Sequence, residues 1–81
     1  MVTTVYALST CPYCKMARKY LTDNDVQFGV VEVDLLEGEA KTAAVDEVKR
    51  LSGGTSFPVM VIGDEVVVGF DKSRVRKLLG L

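Results

Sequence analysis

The chain has few of the residues from which metal sites are usually built. Its 81 residues include two cysteines and no histidine. A structural zinc site needs four ligands, mostly of these two types, so zinc would require two subunits to pair. An iron–sulfur cluster meets the same shortage and would also need a dimer. Within one chain we therefore expect no metal site.

Long apolar runs and a large excess of charge of one sign are absent as well. No segment is long enough to cross a membrane, and residues 1–6 show neither a basic region nor a cleavage site. We therefore expect no membrane partner, no secretory signal and a cytoplasmic location. The net charge of −1 argues against a general nucleic-acid binder.

The length and apolar content are those of one small domain. With 48% of its 81 residues apolar, the chain can form a modest hydrophobic core without a disulfide or a bound metal to stabilise it. No repeat, linker or low-complexity segment divides it. We expect residues 1–81 to form a single domain that acts as a monomer.

What the chain does have is a Cys11-Pro12-Tyr13-Cys14 motif between a short apolar run and a helical pattern. This spacing brings the two cysteine Cα atoms within about 5 to 6 Å, a separation that a disulfide can bridge. Pro12 suits the first position of a helix because it lacks an N–H and has a fixed φ. In a reducing cytosol such a pair is more often catalytic than structural. The motif therefore predicts a redox-active dithiol.

The two thiols are not equivalent. Cys11 comes at the helix start, where unpaired N–H groups and the helix dipole favour a thiolate, with known pKa values of about 3.5 to 7.5. Cys14 lies one turn further in and should be more shielded, whereas Tyr13 should be exposed. We expect Cys11 to attack a substrate disulfide and Cys14 to resolve the mixed disulfide by attacking Cys11.

Other interpretations of the cysteine pair remain open. Metal or an iron–sulfur cluster held between two subunits would make the chain a binding module rather than an enzyme. A purely structural disulfide would close a loop of only four residues and constrain the unfolded chain little. The basic residues Lys15, Arg18 and Lys19 either favour the thiolate and attract an anionic partner or form a solvated helix face.

Hydrophobic periodicity predicts the element order β-α-β-α-β-β-α. We expect strands at residues 2–8, 26–33, 59–62 and 65–68, and helices at 12–22, at 37–51 and after an N-cap at Asp71. A right-handed crossover makes the first two strands parallel, and the hairpin adds two antiparallel strands. The predicted fold class is α/β with a mixed four-stranded sheet.

Three segments together resemble those of the glutaredoxin family: Cys11-Pro12-Tyr13-Cys14, Ser56-Phe57-Pro58 and Gly69-Phe70-Asp71. The match covers essentially the whole chain. It implies a thioredoxin fold, a catalytic motif with Cys11 as nucleophile, a cis bond before Pro58, and substrate binding by the other two segments. In particular, the Phe57 backbone would pair with the substrate's cysteine like an added strand.

The resemblance also implies an activity. The chain would be a thiol-disulfide oxidoreductase that reduces protein disulfides or glutathione-mixed disulfides, with no bound cofactor and with glutathione as its reductant. Two positions depart from glutaredoxins that use glutathione. Those proteins commonly carry a lysine, which meets a carboxylate of the tripeptide, where this chain has Leu8. They also commonly carry a Gly-Gly pair where it has Gly69-Phe70.

A Gly-Phe pair at this place also resembles the small redoxins that serve ribonucleotide reductase and are reduced by thioredoxin reductase. Those usually have a longer Ser-Gly-Phe-Arg-Pro stretch, which residues 68–72 do not reproduce. Backbone N–H groups near Asp71 can still hold a carboxylate, and its side chain can accept from an amino group. Phe70 is either a core residue or part of the site lining. Glutathione and thioredoxin reductase therefore both remain as electron donors.

Overall fold

A four-stranded sheet forms the centre of the molecule. The structure, a computed structural model, describes residues 2–54 and 56–81. Its strands are β1 (Thr3–Ala7), β2 (Gly29–Glu32), β3 (Val59–Ile62) and β4 (Glu65–Val68). Its helices are α1 (Pro12–Asp23), α2 (Gly38–Ser52) and α3 (Lys72–Leu79), and a 3₁₀ turn covers Val33–Leu35. The predicted element order is confirmed.

The strands lie in the order β2-β1-β3-β4. β1 runs parallel to β2, with Val5 opposite Val30, and antiparallel to β3, with Val5 opposite Met60. β3 and β4 form an antiparallel hairpin. This mixed sheet with three helices confirms the predicted α/β class and the thioredoxin fold.

The helices cover both faces of the sheet. Val5 of β1 is fully buried in a core cluster that also contains Leu21 of α1 and Val75 of α3. Val59 of β3 belongs to a second cluster, together with Val48 of α2. Alternate strand residues point to opposite faces, so α1 and α3 pack on one side and α2 on the other.

Helix α1 ends in a closed turn rather than leading into a strand. The N–H of Asp25 donates to the carbonyl of Thr22 over 3.1 Å, and that of Val26 donates to the carbonyl of Leu21 over 2.9 Å. Asp25 has a φ of 59°, the left-handed conformation typical of a helix C-terminus. The strand predicted at 26–33 is therefore too long: Val26 completes the helix cap.

The same predicted strand is also too long at its other end. Its last residue, Val33, begins the 3₁₀ turn, which leaves Gly29–Glu32 as β2. The strand predicted at 2–8 is shortened to Thr3–Ala7. In contrast, β3 and β4 have the predicted bounds.

The last two helices begin and end close to where the sequence predicts. Helix α2 ends before Gly53, whose φ of 76° suits a residue without a Cβ. Asp71 caps α3 as predicted, and its carboxylate accepts from the N–H of Arg74 over 3.2 Å. No helix in residues 2–54 and 56–81 combines the length and apolar character needed to cross a membrane.

Candidate active site

The loop between β1 and α1 positions the two cysteines. Cys11 is the N-cap of α1 in an extended conformation, and Pro12 is the first residue of the helix. The N–H of Cys11 donates to the carbonyl of Leu8 over 3.2 Å, and the N–H of Lys15 donates to the carbonyl of Cys11 over 3.2 Å. Cys11 is thereby held both by the end of β1 and by the first turn of α1.

Hydrogen bonds to its sulfur make the thiol of Cys11 more acidic. The backbone N–H of Cys14 donates to Cys11 Sγ over 3.3 Å. Partial burial by itself would raise the pKa of Cys11. Donation from the Cys14 thiol and from the N–H groups of Cys14 and Tyr13 outweighs burial, so the pKa is lowered. These N–H groups are those that a helix start leaves unpaired, and the direction is the one that the sequence predicts.

Cys14 has the opposite character. Its side chain is fully buried, whereas Cys11 is half-buried, which confirms that Cys14 is the more shielded thiol. Burial is the main cause, and the hydrogen bond to Cys11 the second, of a Cys14 pKa raised to about 11. Both cysteines are free thiols. At neutral pH Cys14 therefore stays protonated, whereas Cys11 loses its proton more readily.

Two of the three basic residues of α1 are engaged in ion pairs. Arg18 pairs with Glu32 of β2 over 3.0 Å, and Lys19 pairs with Asp23 over 2.8 Å. Arg18 still lowers the pKa of Cys14 slightly by its charge, against the larger effect of burial. The favoured role of these two side chains is thus structural, with a small electrostatic effect on the buried thiol.

The segment before β3 packs against the same part of the core as Cys11. The Phe57–Pro58 peptide bond is cis, as predicted. Pro58 is buried, Phe57 is half-buried and Ser56 is exposed. Cys11 and Phe57 both contact the core cluster between the sheet and α1. Tyr13, on the first turn of the helix, is 63% exposed, as predicted.

The loop before α3 is joined to this segment. The N–H of Gly69 donates to the carbonyl of Pro58 over 2.7 Å, and Gly69 has a φ of 80°, which suits glycine. The ring of Phe70 packs on Tyr20 of α1, with centroids 5.9 Å apart and planes tilted by 57°. These contacts favour the core interpretation of Phe70. Asp71 is exposed at the start of α3.

One contact beside the cysteines was not foreseen from the sequence. The N–H of Ser9 donates to Asp34 Oδ1 over 2.9 Å, and its hydroxyl donates to Asp34 Oδ2. Donation from the Ser9 hydroxyl is the main reason that the pKa of Asp34 is lowered. The 3₁₀ turn after β2 thereby anchors the loop that leads to Cys11. The partners are 25 positions apart, so no local pattern signals the contact.

The arrangement supplies an acidic thiol that can attack a disulfide as thiolate and, beside it, a second thiol that can resolve the mixed disulfide. In the parts of the chain that the structure describes, no three histidine, cysteine or acidic residues cluster so as to hold a metal ion.

Comparison with known proteins assigns the family. The family model described as Glutaredoxin matches residues 3–67. The chain belongs to the glutaredoxin family. A glutaredoxin of Neisseria meningitidis serogroup B is 37% identical over 79 residues, which cover 96% of this chain and 88% of that protein.

Two solved structures place this glutaredoxin among related redoxins. Methanoredoxin of Methanosarcina acetivorans superposes with a TM-score of 0.92 at 41% identity, over 98% of this chain and 84% of that one. The NrdH-redoxin of Escherichia coli is described as having a thioredoxin-like activity profile. It superposes with a TM-score of 0.77 at 26% identity, over 96% of this chain and 95% of that one. This glutaredoxin is thus a redox protein of the glutaredoxin and NrdH type, a family whose general activity is thiol-disulfide oxidoreduction.

Proposed function

We propose that this glutaredoxin reduces protein disulfides and glutathione-mixed disulfides through Cys11 and Cys14, as a monomer in the cytoplasm. The observation that carries the proposal is the opposite shift of two neighbouring thiols. The pKa of Cys11 is lowered and that of Cys14 is raised to about 11. One thiol is ready to attack, while the other stays protonated until it is needed.

The reaction proceeds in two exchanges. The Cys11 thiolate attacks one sulfur of the substrate disulfide, whose S–S bond breaks, and the other sulfur leaves as a thiolate with the electron pair. Cys14 then gives up its proton and attacks Cys11 Sγ, which releases the substrate's second thiolate. Two electrons have passed from the protein to the substrate, and a Cys11–Cys14 disulfide remains.

The order of the two exchanges follows from the contact between the thiols. The hydrogen bond to Cys11 and the charge on its thiolate both help to raise the pKa of Cys14. Both effects end once Cys11 is in a mixed disulfide, because its sulfur is then uncharged. The pKa of Cys14 consequently falls, while burial continues to favour the protonated thiol. The resolving thiol is thus activated by the first exchange.

The reductant proposed for the Cys11–Cys14 disulfide is glutathione. An exposed carboxylate at Asp71, beside the free N–H groups at the start of α3, is suited to the amino and carboxylate groups of a γ-glutamyl end. Two glutathione thiols would restore the dithiol and leave as glutathione disulfide. Disulfide-containing proteins are the proposed substrates.

Thioredoxin reductase is the second candidate reductant, with the protein serving as a dedicated donor, for example to ribonucleotide reductase. Two observations favour it. Leu8 provides no cation for a glutathione carboxylate, and the likeness to NrdH-redoxin extends over almost the whole chain.

NADPH consumption with a small disulfide substrate distinguishes the two donors. One assay contains glutathione and glutathione reductase, and the other contains thioredoxin reductase alone. Turnover with glutathione supports the first proposal, and turnover with thioredoxin reductase alone supports the second. Absence of turnover in both assays would contradict the proposed function. Cys11→Ser is the control for turnover that does not depend on the dithiol.

A further inference from the structure

A β-turn of four residues, Leu8 to Cys11, leads from β1 into α1 and ends at the attacking cysteine. The N–H of Cys11 closes the turn by donating to the carbonyl of Leu8 over 3.2 Å, so that Ser9 and Thr10 are its central residues. The same turn reaches the second thiol. Burial raises the pKa of Cys14 most, and a hydrogen bond from the backbone of Leu8 lowers it in part. The position of this turn therefore bears on both cysteines.

Asp34 holds the turn at its first central residue. The N–H of Ser9 donates to Asp34 Oδ1 over 2.9 Å, and the hydroxyl of Ser9 donates to Asp34 Oδ2. Because two donors of one residue meet the two oxygens of one carboxylate, both the position and the orientation of Ser9 are fixed. Donation from the Ser9 hydroxyl, and then from its N–H, lowers the pKa of Asp34. The carboxylate is thus ionised at neutral pH, and such charge-assisted bonds are about twice as strong as neutral ones.

The residue that holds the turn is itself attached to the core. Its neighbour Val33 is buried in the cluster that contains Val48 and Val59. The N–H of Leu36 donates to the carbonyl of Val33 over 3.3 Å and closes the 3₁₀ turn. The pair of Ser9 and Asp34, which we call the Ser9–Asp34 clamp, consequently ties the turn before Cys11 to a packed part of the molecule.

The second exchange is the step that needs the two sulfurs to be aligned. Cys14 loses its proton and attacks Cys11 Sγ, a bond forms between the two cysteines, and the substrate leaves Cys11 as a thiolate with the electron pair. Cys14 is fully buried on α1, whereas Cys11 is half-buried at the end of the turn. Their alignment therefore depends on where the turn is held. Misplacing reacting groups by about 1 Å can slow a reaction by about 100-fold.

We propose that Asp34 is a positioning residue for the second exchange, because through Ser9 it keeps Cys11 Sγ within reach of Cys14 while Cys11 carries the substrate. The inference rests on the proposed function, since it concerns the same two exchanges. The first exchange depends less on the clamp. A small disulfide approaches the accessible side of Cys11 from solvent and adjusts to its position, whereas Cys14 is confined by the core.

Stopped-flow fluorescence with a symmetrical disulfide of a fluorescent thiol tests the proposal without any external reductant. The two fluorophores quench each other until the disulfide is broken. Attack by Cys11 releases the first fluorescent thiolate, and attack by Cys14 on the mixed disulfide releases the second. The two phases therefore report the two exchanges of one protein molecule in one experiment.

We expect Asp34→Ala to slow the second phase by about 10- to 100-fold and to leave the first phase nearly unchanged. Ser9→Ala should slow the second phase less, because the N–H of residue 9 still donates to Asp34. This variant keeps the charge of Asp34, so its effect cannot arise from a lost carboxylate. Ser9→Thr restores the hydroxyl and should restore the rate. In each slowed variant the pH midpoint of the second phase should stay that of the wild type, since the fault is one of position.

Asp64→Asn is the matched control for the loss of a carboxylate. Asp64 is exposed in the turn after Ile62, and Ile62 pairs with Thr3 at the start of β1. It therefore lies at the end of the sheet opposite Cys11, and its replacement should change neither phase.

A second phase at the wild-type rate in both Asp34→Ala and Ser9→Ala would overturn the positioning role. Equal slowing of both phases in these variants would also overturn it, because the effect would then not be specific to the second exchange. If Asp34→Ala does not fold, Ser9→Ala and Ser9→Thr decide by the same criteria. Absence of either phase in the wild type would instead contradict the proposed function itself.

Discussion

The backbone N–H of Cys14 donates a hydrogen bond to the sulfur of Cys11 over 3.3 Å. One residue thus supplies both a donor that stabilises the attacking thiolate and the thiol that later attacks Cys11 to release the substrate. Because each cysteine shifts the pKa of the other, the two titrate as a pair rather than as independent groups.

The first prediction concerns the source of the acidity of Cys11. Cys14→Ala removes the donating thiol but keeps the backbone N–H groups of Cys14 and Tyr13, which also lower the pKa of Cys11. We expect the pKa of Cys11 to rise above that of the wild type, because burial still raises it and the strongest of the hydrogen bonds that lower it is gone. Alkylation of Cys11 by iodoacetamide as a function of pH gives the value. A midpoint unchanged from that of the wild type would contradict the role of the Cys14 thiol.

The second prediction concerns the pH dependence of the two exchanges. Attack by Cys11 should stop accelerating once the pH exceeds its lowered pKa. Release of substrate by Cys14 should continue to accelerate to higher pH, because burial, the main cause of its raised pKa, still acts in the mixed disulfide. Rapid mixing of reduced protein with a fluorescent disulfide resolves the two phases. A release rate that is constant from neutral to alkaline pH would refute the assignment of Cys14.

The third prediction separates two roles of Asp71. Asp71→Ala should lower the free energy of unfolding by about 0.5 to 2 kcal/mol because the cap of α3 is lost. Asp71→Asn should retain most of that stability, since asparagine is an equally good cap. If the carboxylate also contacts glutathione, Asp71→Asn should raise the KM for glutathione at unchanged stability. Urea denaturation and the NADPH assay measure the two effects, and unchanged stability in Asp71→Ala would contradict the capping role.

Much of the fold follows from local sequence signals. Gly63-Asp64 separates two short apolar runs, and the strands on either side have the predicted bounds. Asp71 begins α3 because its side chain can accept from the helix N–H groups, a property visible in one residue. Where a single residue or a short turn decides the structure, the sequence is sufficient.

The bounds of β2 were not predictable in the same way. An apolar run does not distinguish a residue that pairs with a neighbouring strand from one that only packs on the core. Val26 packs against the core cluster, but its N–H bonds to Leu21 of α1 instead of to a strand. Only the tertiary structure decides between these partners.

The candidate site likewise has features that the local sequence predicts and features that only the tertiary structure determines. The cysteine motif was predicted because its chemistry is local, with two thiols at one helix start. The contact of Ser9 with Asp34 depends on two segments that only the fold brings together.

Trapping of the mixed disulfide tests the central claim most directly. Cys14→Ser and Cys11→Ser are each mixed with an excess of a peptide disulfide, and the adducts are located by mass spectrometry. We predict that Cys14→Ser accumulates one peptide on Cys11, because the attacking thiolate is present and the resolving thiol is not. Cys11→Ser should form no comparable adduct, because Cys14 is buried and protonated. An adduct that forms on Cys14 in Cys11→Ser as fast as on Cys11 in Cys14→Ser would contradict the account.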